Sequence, residues 1–331
     1  MTQTQIPPAT LPSTGPGALT RPADPELSID LTEVPLLDGP LTIDGTENPD
    51  GAVLPQPTLD VSIVVPFYNP GDRLRTTVDQ LVRVLSASGM SFEIIAVSDG
   101  SNDGSPLMLE EFPEHVVRRV SYASNVGKGY AVRTGLGIGR GRYLGFIDAD
   151  GDISPDFMAS FVAIMRTEGP DIVIGSKRHP DSSVHSSTLR RFYSLGHQSL
   201  NRLLFRLKVR DTQVGIKLVD RRVVADVLPL LRENRFALDL EFLVLAQRLG
   251  YVHVVEAPVS IEERSDSTVS MKSAWRLVKD TLGIYVRLSV RHEYDRGLAS
   301  RTGSKAEGPV VIAGSDRRAG PIPARRRRQA A

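Results

Sequence analysis

The fold is decided by two short apolar runs, Val61-Ser62-Ile63-Val64-Val65-Pro66 and Phe92-Glu93-Ile94-Ile95-Ala96-Val97, in a chain of 331 residues. Their length and composition predict buried parallel strands. Between the two runs, residues 72–88 carry apolar side chains at helical spacing, namely Leu74, Val78, Leu81, Val82 and Leu85. A strand, a helix and a second strand in this order predict a parallel sheet with helices packed on its faces.

The same alternation continues along the chain. Further strands are predicted at residues 116–122, 143–147 and 172–175, and helices near residues 128–138 and from Pro155. Beyond Gly175 the pattern predicts mainly helices, at residues 189–207, 221–231 and 239–249. In open sheets of this kind ligands bind outside the carboxyl ends of the strands, so we expect the loops that follow strands to carry the chemistry.

The two ends of the chain differ from the middle in composition. Residues 1–58 contain eight acidic residues, one basic residue, 11 of the 23 prolines and no aromatic residue, so they cannot bury enough apolar surface to fold. Residues 296–331 contain nine basic and two acidic residues. The sequence therefore predicts one folded domain, residues 59–295, between a disordered acidic segment and a disordered basic tail. A basic tail suits an anionic membrane surface or a nucleic acid.

Composition also excludes several classes of protein. The chain has no cysteine, which excludes disulfides, thiolate zinc sites and thiol nucleophiles and is typical of a reducing compartment. No run reaches the roughly 18 to 20 apolar residues of a membrane span, and the start of the chain lacks the pattern of a signal peptide. Only 6% of the residues are aromatic, which argues against nucleic acid as a partner. We expect a cytoplasmic protein that lies on a membrane if it works there.

Three carboxylates follow the predicted strand at residues 143–147, in the stretch Asp148-Ala149-Asp150-Gly151-Asp152. Side chains alternate along extended backbone, so Asp148 and Asp150 should lie on one side, where oxygen ligands suit Mg²⁺ or Mn²⁺ bridging a diphosphate. An acidic turn built of Asp and Gly is the alternative. The position directly after a buried strand favours the metal site.

Two other strand-end loops suit a nucleotide. The loop at residues 98–104 offers Asp99 as a hydrogen-bond acceptor for a nucleobase or ribose, and its glycines allow close approach of the backbone. A plain loop is the alternative there. The stretch Asn125-Val126-Gly127-Lys128-Gly129 opens a helix, so backbone N–H groups and the Lys128 ammonium can meet a phosphate together. It lacks the spacing of a Walker loop.

Four motifs therefore follow one another at strand ends, namely Val-Pro-Phe-Tyr-Asn at 65–69, Ser-Asp-Gly-Ser at 98–101, Asn-Val-Gly-Lys-Gly at 125–129 and Asp-Ala-Asp-Gly at 148–151. As an ordered set they resemble family 2 glycosyltransferases. Three later stretches, at residues 174–178, 211–217 and 236–242, look like the dolichyl- or polyprenyl-phosphate β-glucosyltransferase branch. The resemblance covers about residues 60–292. It implies a GT-A type α/β fold, a mostly parallel central sheet with helices on both faces.

The resemblance also implies roles for individual residues. It places Asp99 at the nucleoside, Asp148 near the ribose and diphosphate, and Asp150 on the Mg²⁺ or Mn²⁺ ion, with Asp148 as the second candidate metal ligand. The remaining donor-binding candidates are Pro66, Tyr68, Asn69, Gly127 and Lys128. The candidates for the lipid phosphate are Lys177, Arg178, Arg190 and Arg191. The candidates for the sugar and acceptor end are Asp211, Gln213, Asp239 and Glu241.

Two departures from the family pattern affect these assignments. Ser98 stands before Asp99 where the family often has a second acid, which weakens the assignment at the base. The usual Gly-Ser-Arg is here Gly-Ser-Lys-Arg, which leaves Lys177 or Arg178 as the phosphate clamp. Residues 59–176 are expected to form the nucleotide-sugar half of the domain and residues 177–295 the acceptor half.

The expected reaction is inverting, metal-dependent transfer of a hexose, glucose from UDP-glucose, to polyprenyl or dolichyl phosphate at the cytoplasmic face of a membrane. A phosphate acceptor needs positioning more than a strong base, so Asp150 is the central catalytic candidate, and Asp211 or Asp239 acts as a base only toward a hydroxyl. N-acetylgalactosamine or mannose as the sugar, and a polysaccharide or glycolipid hydroxyl as the acceptor, remain alternatives.

Two stretches mix leucines and other apolar side chains with arginines, at residues 189–210 and 275–291. Helices of this composition can lie in the interface of an anionic bilayer. The alternative is that both are ordinary helices packed on the core with solvated charges. A homodimer or a membrane partner protein stays open.

Overall fold

The computed structural model describes residues 54–185, 188–262, 271–295 and 297–299, together with a short antiparallel hairpin of β1 (Thr42–Ile43) and β2 (Thr46–Glu47). Most of the two terminal segments that were predicted to be disordered lies outside these residues. Leu54 is buried in the core, so the packed part of the chain begins ahead of the predicted boundary at residue 59. The division into nucleotide-sugar and acceptor halves stays a prediction.

A seven-stranded sheet forms the centre of the described chain. Its strands, in spatial order, are β10 (Val254–Pro258), β7 (Ile172–Ser176), β9 (Ile216–Asp220), β6 (Gly141–Ile147), β3 (Leu59–Phe67), β4 (Phe92–Asp99) and β5 (Val117–Tyr122). Neighbouring strands are parallel except for β9, which runs antiparallel to both β6 and β7. The predicted mostly parallel sheet is confirmed. A separate pair, β8 (Ser183–His185) and β11 (Ser260–Glu262), is also parallel.

Seven α-helices are present in the described part of the chain. They are α1 (Arg73–Ala87), α2 (Lys128–Ile138), α3 (Phe157–Thr167), α4 (Thr188–Phe205), α5 (Arg221–Val227), α6 (Leu238–Arg248) and α7 (Met271–Tyr285). Short 3₁₀ turns lie at Ser105–Leu109 and Leu228–Leu230, and a π-helical turn at Val286–Val290 extends α7. None of the helices in these described ranges is long and apolar enough to cross a membrane.

The alternation of side chains along β3 feeds two cores, one on each face of the sheet. Val61, Ile63 and Val65 are fully buried in the core that also contains the apolar faces of α1 and α3. Val64 points to the opposite face, where it packs in the core shared with α2, α5 and α6. A period of two in the strand therefore places helices on both faces of the sheet, as predicted.

The expectation that mainly helices follow Gly175 is incomplete. The strand β9 enters the sheet between β6 and β7, and β10 adds the outer edge beside β7. The strand β9 was missed because Lys217 interrupts its apolar run, and a charged residue argues against a buried strand unless the charge has a partner. Part of the predicted acceptor half therefore lies inside the same sheet as the nucleotide half.

A buried carboxylate holds the amino-terminal ends of the inner strands together. Glu93 in β4 is fully buried and accepts hydrogen bonds from Ser62 Oγ at 2.7 Å, from the Arg140 backbone N–H at 2.7 Å and from Arg118 Nη1 at 3.1 Å. The Arg140 guanidinium adds two further hydrogen bonds. Ser62 Oγ in turn accepts from the Gly141 N–H at 2.7 Å. Burial opposes the charge on Glu93, but these donors outweigh it and lower the pKa of its carboxyl.

We predict that Glu93→Gln lowers the free energy of unfolding at pH 7 by about 2 kcal/mol. The substitution removes the negative charge that accepts hydrogen bonds from Ser62, Arg118 and Arg140. A carboxyl with a lowered folded-state pKa stabilises the fold above its ordinary pKa, and this contribution is lost as the pH falls through the folded-state value. The free energies of unfolding of variant and wild type, measured by urea denaturation, should therefore become more alike as the pH is lowered.

Glu110→Gln is the matched control, because Glu110 is exposed. Its free energy of unfolding should stay within about 0.5 kcal/mol of the wild type. Equal effects at the two positions would contradict the role given to Glu93.

Candidate functional site

The carboxyl ends of the parallel strands bring the predicted loops to one edge of the sheet. The loops after β3 and β4 are joined by a pair of asparagines. Asn69 Nδ2 donates to Asn102 Oδ1 at 3.0 Å, and the Asn102 N–H donates to Asn69 Oδ1 at 2.9 Å. Asn69 has φ of +47°, a backbone region that asparagine tolerates better than most residues. Pro66 is buried at the end of β3, whereas the Tyr68 side chain is 52% exposed.

Asp99, at the end of β4, organises the next loop. Its side chain is 3% exposed, and it accepts hydrogen bonds from Tyr122 Oη at 2.8 Å, from the Val126 N–H at 2.8 Å and from the Gly127 N–H at 3.0 Å. Burial and the bond to Asp99 raise the pKa of Tyr122, which stays a donor. Asp99 thus fixes the backbone that leads into α2. Direct contact of Asp99 with a nucleoside stays a prediction.

Lys128, the first residue of α2, forms an ion pair with Asp148 at the end of β6. Its Nζ lies 2.6 Å from Asp148 Oδ1 and donates a hydrogen bond to Oδ2 at 2.8 Å. Burial alone would lower the pKa of Lys128, but the charges of Asp148 and Asp239 outweigh it and raise that pKa. Burial also raises the pKa of the Asp148 carboxyl, which Lys128 opposes and Asp150 reinforces. The structure therefore brings Lys128 and Asp148 together, as the strand-end positions suggested.

A second ion pair, which is fully buried, adjoins this half-buried pair. Lys217 in β9 is 2% exposed, and its Nζ donates to Asp239 Oδ1 at 2.5 Å and to the Val214 carbonyl at 2.8 Å. The other Asp239 oxygen lies 3.9 Å from Lys128 Nζ. The two pairs therefore form a row of alternating charges, in the order Asp148, Lys128, Asp239 and Lys217. The attraction between neighbours offsets part of the free-energy cost of burying each charge.

The ring of Phe146 supports both ammonium groups. Its centroid lies 5.5 Å from Lys128 Nζ and 5.1 Å from Lys217 Nζ. The second contact follows from strand register, because Phe146 in β6 is the direct partner of Lys217 in β9. An aromatic face attracts a cation at this range, so β6 contributes to the site before its terminal carboxylate is reached.

Gly215 leaves the space that the Asp148 carboxylate occupies. A Cβ added at Gly215 would lie 2.0 Å from Asp148 Oδ2 and 2.5 Å from its Cγ. The Asp148 N–H also donates to the Gly215 carbonyl at 2.9 Å. A side chain at position 215 would therefore push the carboxylate away from Lys128.

The acidic loop forms a turn after β6 and not the extended backbone that was expected to put Asp148 and Asp150 on one side, and Asp150 Oδ1 accepts from the Asp152 N–H at 3.0 Å. Asp148 and Asp150 remain the candidate ligands of a divalent cation. Asp148 Oδ1 is a buried atom that accepts no hydrogen bond from the described residues, although it lies 2.6 Å from Lys128 Nζ, which donates to Oδ2. Asp150 is exposed, and its charge acts on both Lys128 and Asp148. Among the described residues no group of three or more His, Cys, Asp or Glu side chains is placed to hold a metal alone. Mg²⁺ is commonly bound by one or two carboxylates together with substrate phosphates and water, so these two residues suit an ion that a bound diphosphate completes.

Asp211 positions the loop of Lys177 and Arg178. Its Oδ2 accepts from the Lys177 N–H at 3.3 Å, and its Oδ1 accepts from the Gln213 N–H at 3.1 Å. The Lys177 side chain is exposed. Gln213 Nε2 is buried and has no hydrogen-bond partner within the described ranges. Arg190 and Arg191 belong to α4, but their side chains lie outside what the structure describes.

Glu241 holds the loop before α6 in place. It is fully buried in the first turn of α6, and it accepts from the N–H groups of Arg232 and Glu233 at 2.9 and 2.8 Å and from Tyr294 Oη at 2.5 Å. The loop that it holds continues to Asn234, whose carbonyl accepts from the Tyr130 N–H at 3.0 Å. Contact of Glu241 with a sugar or acceptor stays a prediction.

Sequence reasoning assigned no role to Phe146, Gly215 or Lys217, although all three shape the site. Lys217 had a signal, since it is a single charge inside the apolar stretch of residues 214–219. A buried lysine of this kind needs a carboxylate partner. The signal identifies neither Asp239 as that partner nor the strand pairing with Phe146, because both contacts depend on the topology of the sheet.

The family model for glycosyl transferase family 2 matches residues 62–228. The chain belongs to this family. The matched range contains the loops after β3, β4, β5 and β6, including Lys128 and Asp148.

Relatives and solved structures agree with this assignment. Over 253 residues, 71% of this chain and 77% of the relative, the glycosyltransferase is 33% identical to a dolichyl-phosphate beta-glucosyltransferase of Drosophila melanogaster. A protein of the same name from Dictyostelium discoideum is 31% identical over 69% of this chain and 74% of its own length. Glucosyl-3-phosphoglycerate synthase from Mycobacterium tuberculosis, solved with Mn²⁺, UDP and phosphoglyceric acid, matches with a TM-score of 0.55 at 18% identity, covering 69% and 79% of the two chains. The expected GT-A fold is confirmed.

We predict that Gly215→Ala weakens binding of UDP in the presence of Mn²⁺ by about tenfold, because the new methyl group displaces the Asp148 carboxylate. Isothermal titration calorimetry measures the affinity, and far-UV circular dichroism verifies that the glycosyltransferase stays folded. Gly137→Ala is the matched control. A Cβ there meets only Leu228 Cδ2 at 3.6 Å, an ordinary contact, and UDP affinity should not change. Unchanged affinity in Gly215→Ala would show that the close approach to Asp148 is unimportant.

Proposed function

We propose that this glycosyltransferase transfers glucose from UDP-glucose, with inversion, to polyprenyl or dolichyl phosphate at the cytoplasmic face of a membrane. The observation that carries the proposal is the half-buried ion pair of Lys128 and Asp148 at a strand end, directly before the acidic loop of Asp150. This is an arrangement for a diphosphate and its divalent ion. The names of the relatives, dolichyl-phosphate beta-glucosyltransferases, support the choice of sugar and acceptor.

The donor diphosphate is proposed to bind where α2 begins. Helix N-termini present unpaired N–H groups and a partial positive charge to anions, and Lys128 adds a full positive charge at the same point. Asp148 and Asp150 would hold Mg²⁺ or Mn²⁺, which when bound stabilises the charge that develops on the departing UDP. Asp99 keeps the preceding loop in place for the nucleoside, and the exposed Tyr68 ring is available to the base.

The acceptor is proposed to be a phosphate because the candidate bases are already engaged. Asp239 accepts from Lys217, and Asp211 accepts from two backbone N–H groups. A phosphate monoester is itself a competent nucleophile, so one of its oxygens can attack the anomeric carbon while the bond to the UDP oxygen breaks. The reaction then depends on positioning and on stabilising the leaving group. Asp211 and Asp239 position the site and would act as bases only toward a hydroxyl.

The proposed phosphate clamp lies on the loop that Asp211 holds. Lys177 is exposed there, next to Arg178, and the proposal adds Arg190 and Arg191 from α4. Gln213, with its free buried amide, and Glu241 complete the proposed sugar and acceptor end. An anionic membrane surface is the proposed docking partner of the enzyme.

We predict that Asp150→Asn lowers kcat for glucose transfer by at least about 100-fold at saturating Mg²⁺ or Mn²⁺, because the variant loses a carboxylate ligand to the ion. The melting temperature should not fall, since Asp150 is exposed. Asp156→Asn, at an exposed position before α3, is the control and should keep wild-type kcat. Unchanged turnover in Asp150→Asn would end the metal assignment.

A second experiment tests donor and acceptor together. The enzyme is incubated with labelled UDP-glucose, UDP-N-acetylgalactosamine or GDP-mannose, each with polyprenyl phosphate or with free polyprenol, and the lipids are then extracted. We expect label in the lipid fraction with UDP-glucose and polyprenyl phosphate. Label transferred to the free alcohol at an equal rate would show a hydroxyl acceptor, and label from another donor would correct the sugar.

A further inference from the structure

The segment that follows α7 is fastened to the loop before α6 through Tyr294. The Tyr294 side chain is 2% exposed, and its Oη donates to Glu241 Oε1 at 2.5 Å and accepts from Arg287 Nε at 3.1 Å. Burial and the charge of Glu241 raise the pKa of the Tyr294 hydroxyl, which stays protonated and able to donate. The Arg232 guanidinium lies over the Tyr294 ring, 5.5 Å from its centroid. Tyr294 therefore contacts the loop directly and also through Glu241.

Arg287, in the π-helical turn after α7, makes a second connection to the same loop. Its guanidinium forms an ion pair with Glu233 and lies 3.9 Å from Glu241 Oε1. The Arg287 and Glu233 side chains are only 24% and 13% exposed. Removing one partner of such a pair leaves the other charge poorly solvated. We call Arg287 and Tyr294, with the two carboxylates that they hold, the clasp.

The loop that the clasp holds, residues 232–235, packs against the start of α2. The Asn234 carbonyl accepts from the Tyr130 N–H at 3.0 Å. A Cβ at Gly127 would lie 2.3 Å from the Asn234 carbonyl oxygen, and one at Gly129 would lie 2.7 Å from the Arg235 carbonyl oxygen. The backbone of the loop is therefore in direct contact with the first turn of α2, where the donor diphosphate is proposed to bind.

The position of the first turn of α2 matters because a helix N-terminus binds an anion through N–H groups that point at one place. Lys128 belongs to the same turn, so a shift of the loop away from α2 would change the position of its ammonium as well. Arg287 and Tyr294 lie after residues 62–228, which the family model matches, so that match assigns no role to either side chain.

We propose that the clasp holds the 232–235 loop against α2, and that Arg287 and Tyr294 are thereby positioning residues for the donor diphosphate. The inference rests on the proposed function and gives the segment after α7 a part in donor binding. Loss of the clasp should weaken donor binding more than it slows transfer, because Lys128 and the helix N–H groups meet the diphosphate before the sugar leaves.

Tyr294→Phe tests the clasp by removing one hydroxyl and keeping the ring. In the full-length enzyme, KM for UDP-glucose should rise about fivefold, as expected for one lost buried hydrogen bond. The value of kcat should change by less than about twofold, and KM for polyprenyl phosphate should not change.

Tyr251→Phe is the matched control, because Tyr251 is 7% exposed and its Oη donates to Asp226 in α5 at 2.6 Å. This variant also loses a buried hydrogen bond from a tyrosine to a carboxylate, but KM for UDP-glucose should stay at the wild-type value. The proposal is overturned if Tyr294→Phe keeps the wild-type KM, or if the two variants raise it equally.

Arg287→Met tests the ion pair and serves if Tyr294→Phe folds poorly. Calorimetric affinity for UDP with Mn²⁺ should fall about tenfold, because the Glu233 carboxylate loses its partner and the loop is released. Arg291→Met is the control, since Arg291 is 68% exposed and pairs with Glu293 at 3.5 Å; its UDP affinity should not change. Wild-type affinity in a folded Arg287→Met enzyme also overturns the proposal.

Hydrogen exchange of the enzyme without ligands keeps the inference separate from the proposed reaction. In Tyr294→Phe the amides of residues 127–131 should exchange at least about fivefold faster than in the wild type, whereas Tyr251→Phe should leave them unchanged. If the wild type neither binds UDP nor transfers glucose, the proposed function fails, and faster exchange in Tyr294→Phe alone still supports the clasp. Equal exchange of these amides in Tyr294→Phe and the wild type refutes it.

Discussion

The row of alternating charges formed by Asp148, Lys128, Asp239 and Lys217 is the constraint on which the site depends. Lys217 and Asp239 are buried and Lys128 and Asp148 are half-buried, so removing one member would leave the charge of its neighbour without its partner. The four residues come from β6, α2, α6 and β9, so the row forms only when both halves of the chain share one sheet. The insertion of β9 between β6 and β7 is therefore a requirement of the site as well as of the fold.

A second set of buried contacts connects the far end of the chain with this row. Glu241 holds the loop of Arg232 and Glu233, and Arg287 pairs with Glu233. Tyr294 donates to Glu241 from the segment after α7. The held loop then packs on Gly127 and Gly129 at the start of α2. Elements that are remote in sequence thus fix the entrance to the proposed donor site.

Much of the sheet from β3 to β6, with its helices and strand-end loops, could be predicted from the sequence, because the signals there are local. The apolar period along residues 72–88 predicts α1, and Gly127 before Lys128 marks the start of α2. The sequence put the acidic loop and the loop before α2 after parallel strands, which end at one edge of a sheet, and the structure brings Asp148 and Lys128 together there. The local sequence pattern could not predict β9. A lysine in the middle of an apolar run argues against a buried strand, and nothing in the local sequence shows that Asp239 pairs with Lys217. The roles of Gly215 and Phe146 likewise follow from register and close approach across the sheet, which a single sequence does not encode in a recognisable motif.

The most direct test of the charge row is a calorimetric titration of UDP, with Mn²⁺ and with a chelator, into wild-type enzyme and into Lys128→Met, with circular dichroism to verify folding. The charge row predicts that wild-type affinity depends on Mn²⁺ and that a folded Lys128→Met enzyme binds UDP at least about tenfold more weakly. Equal UDP affinity for the two proteins, independent of Mn²⁺, would contradict the assignment of this row to the donor diphosphate.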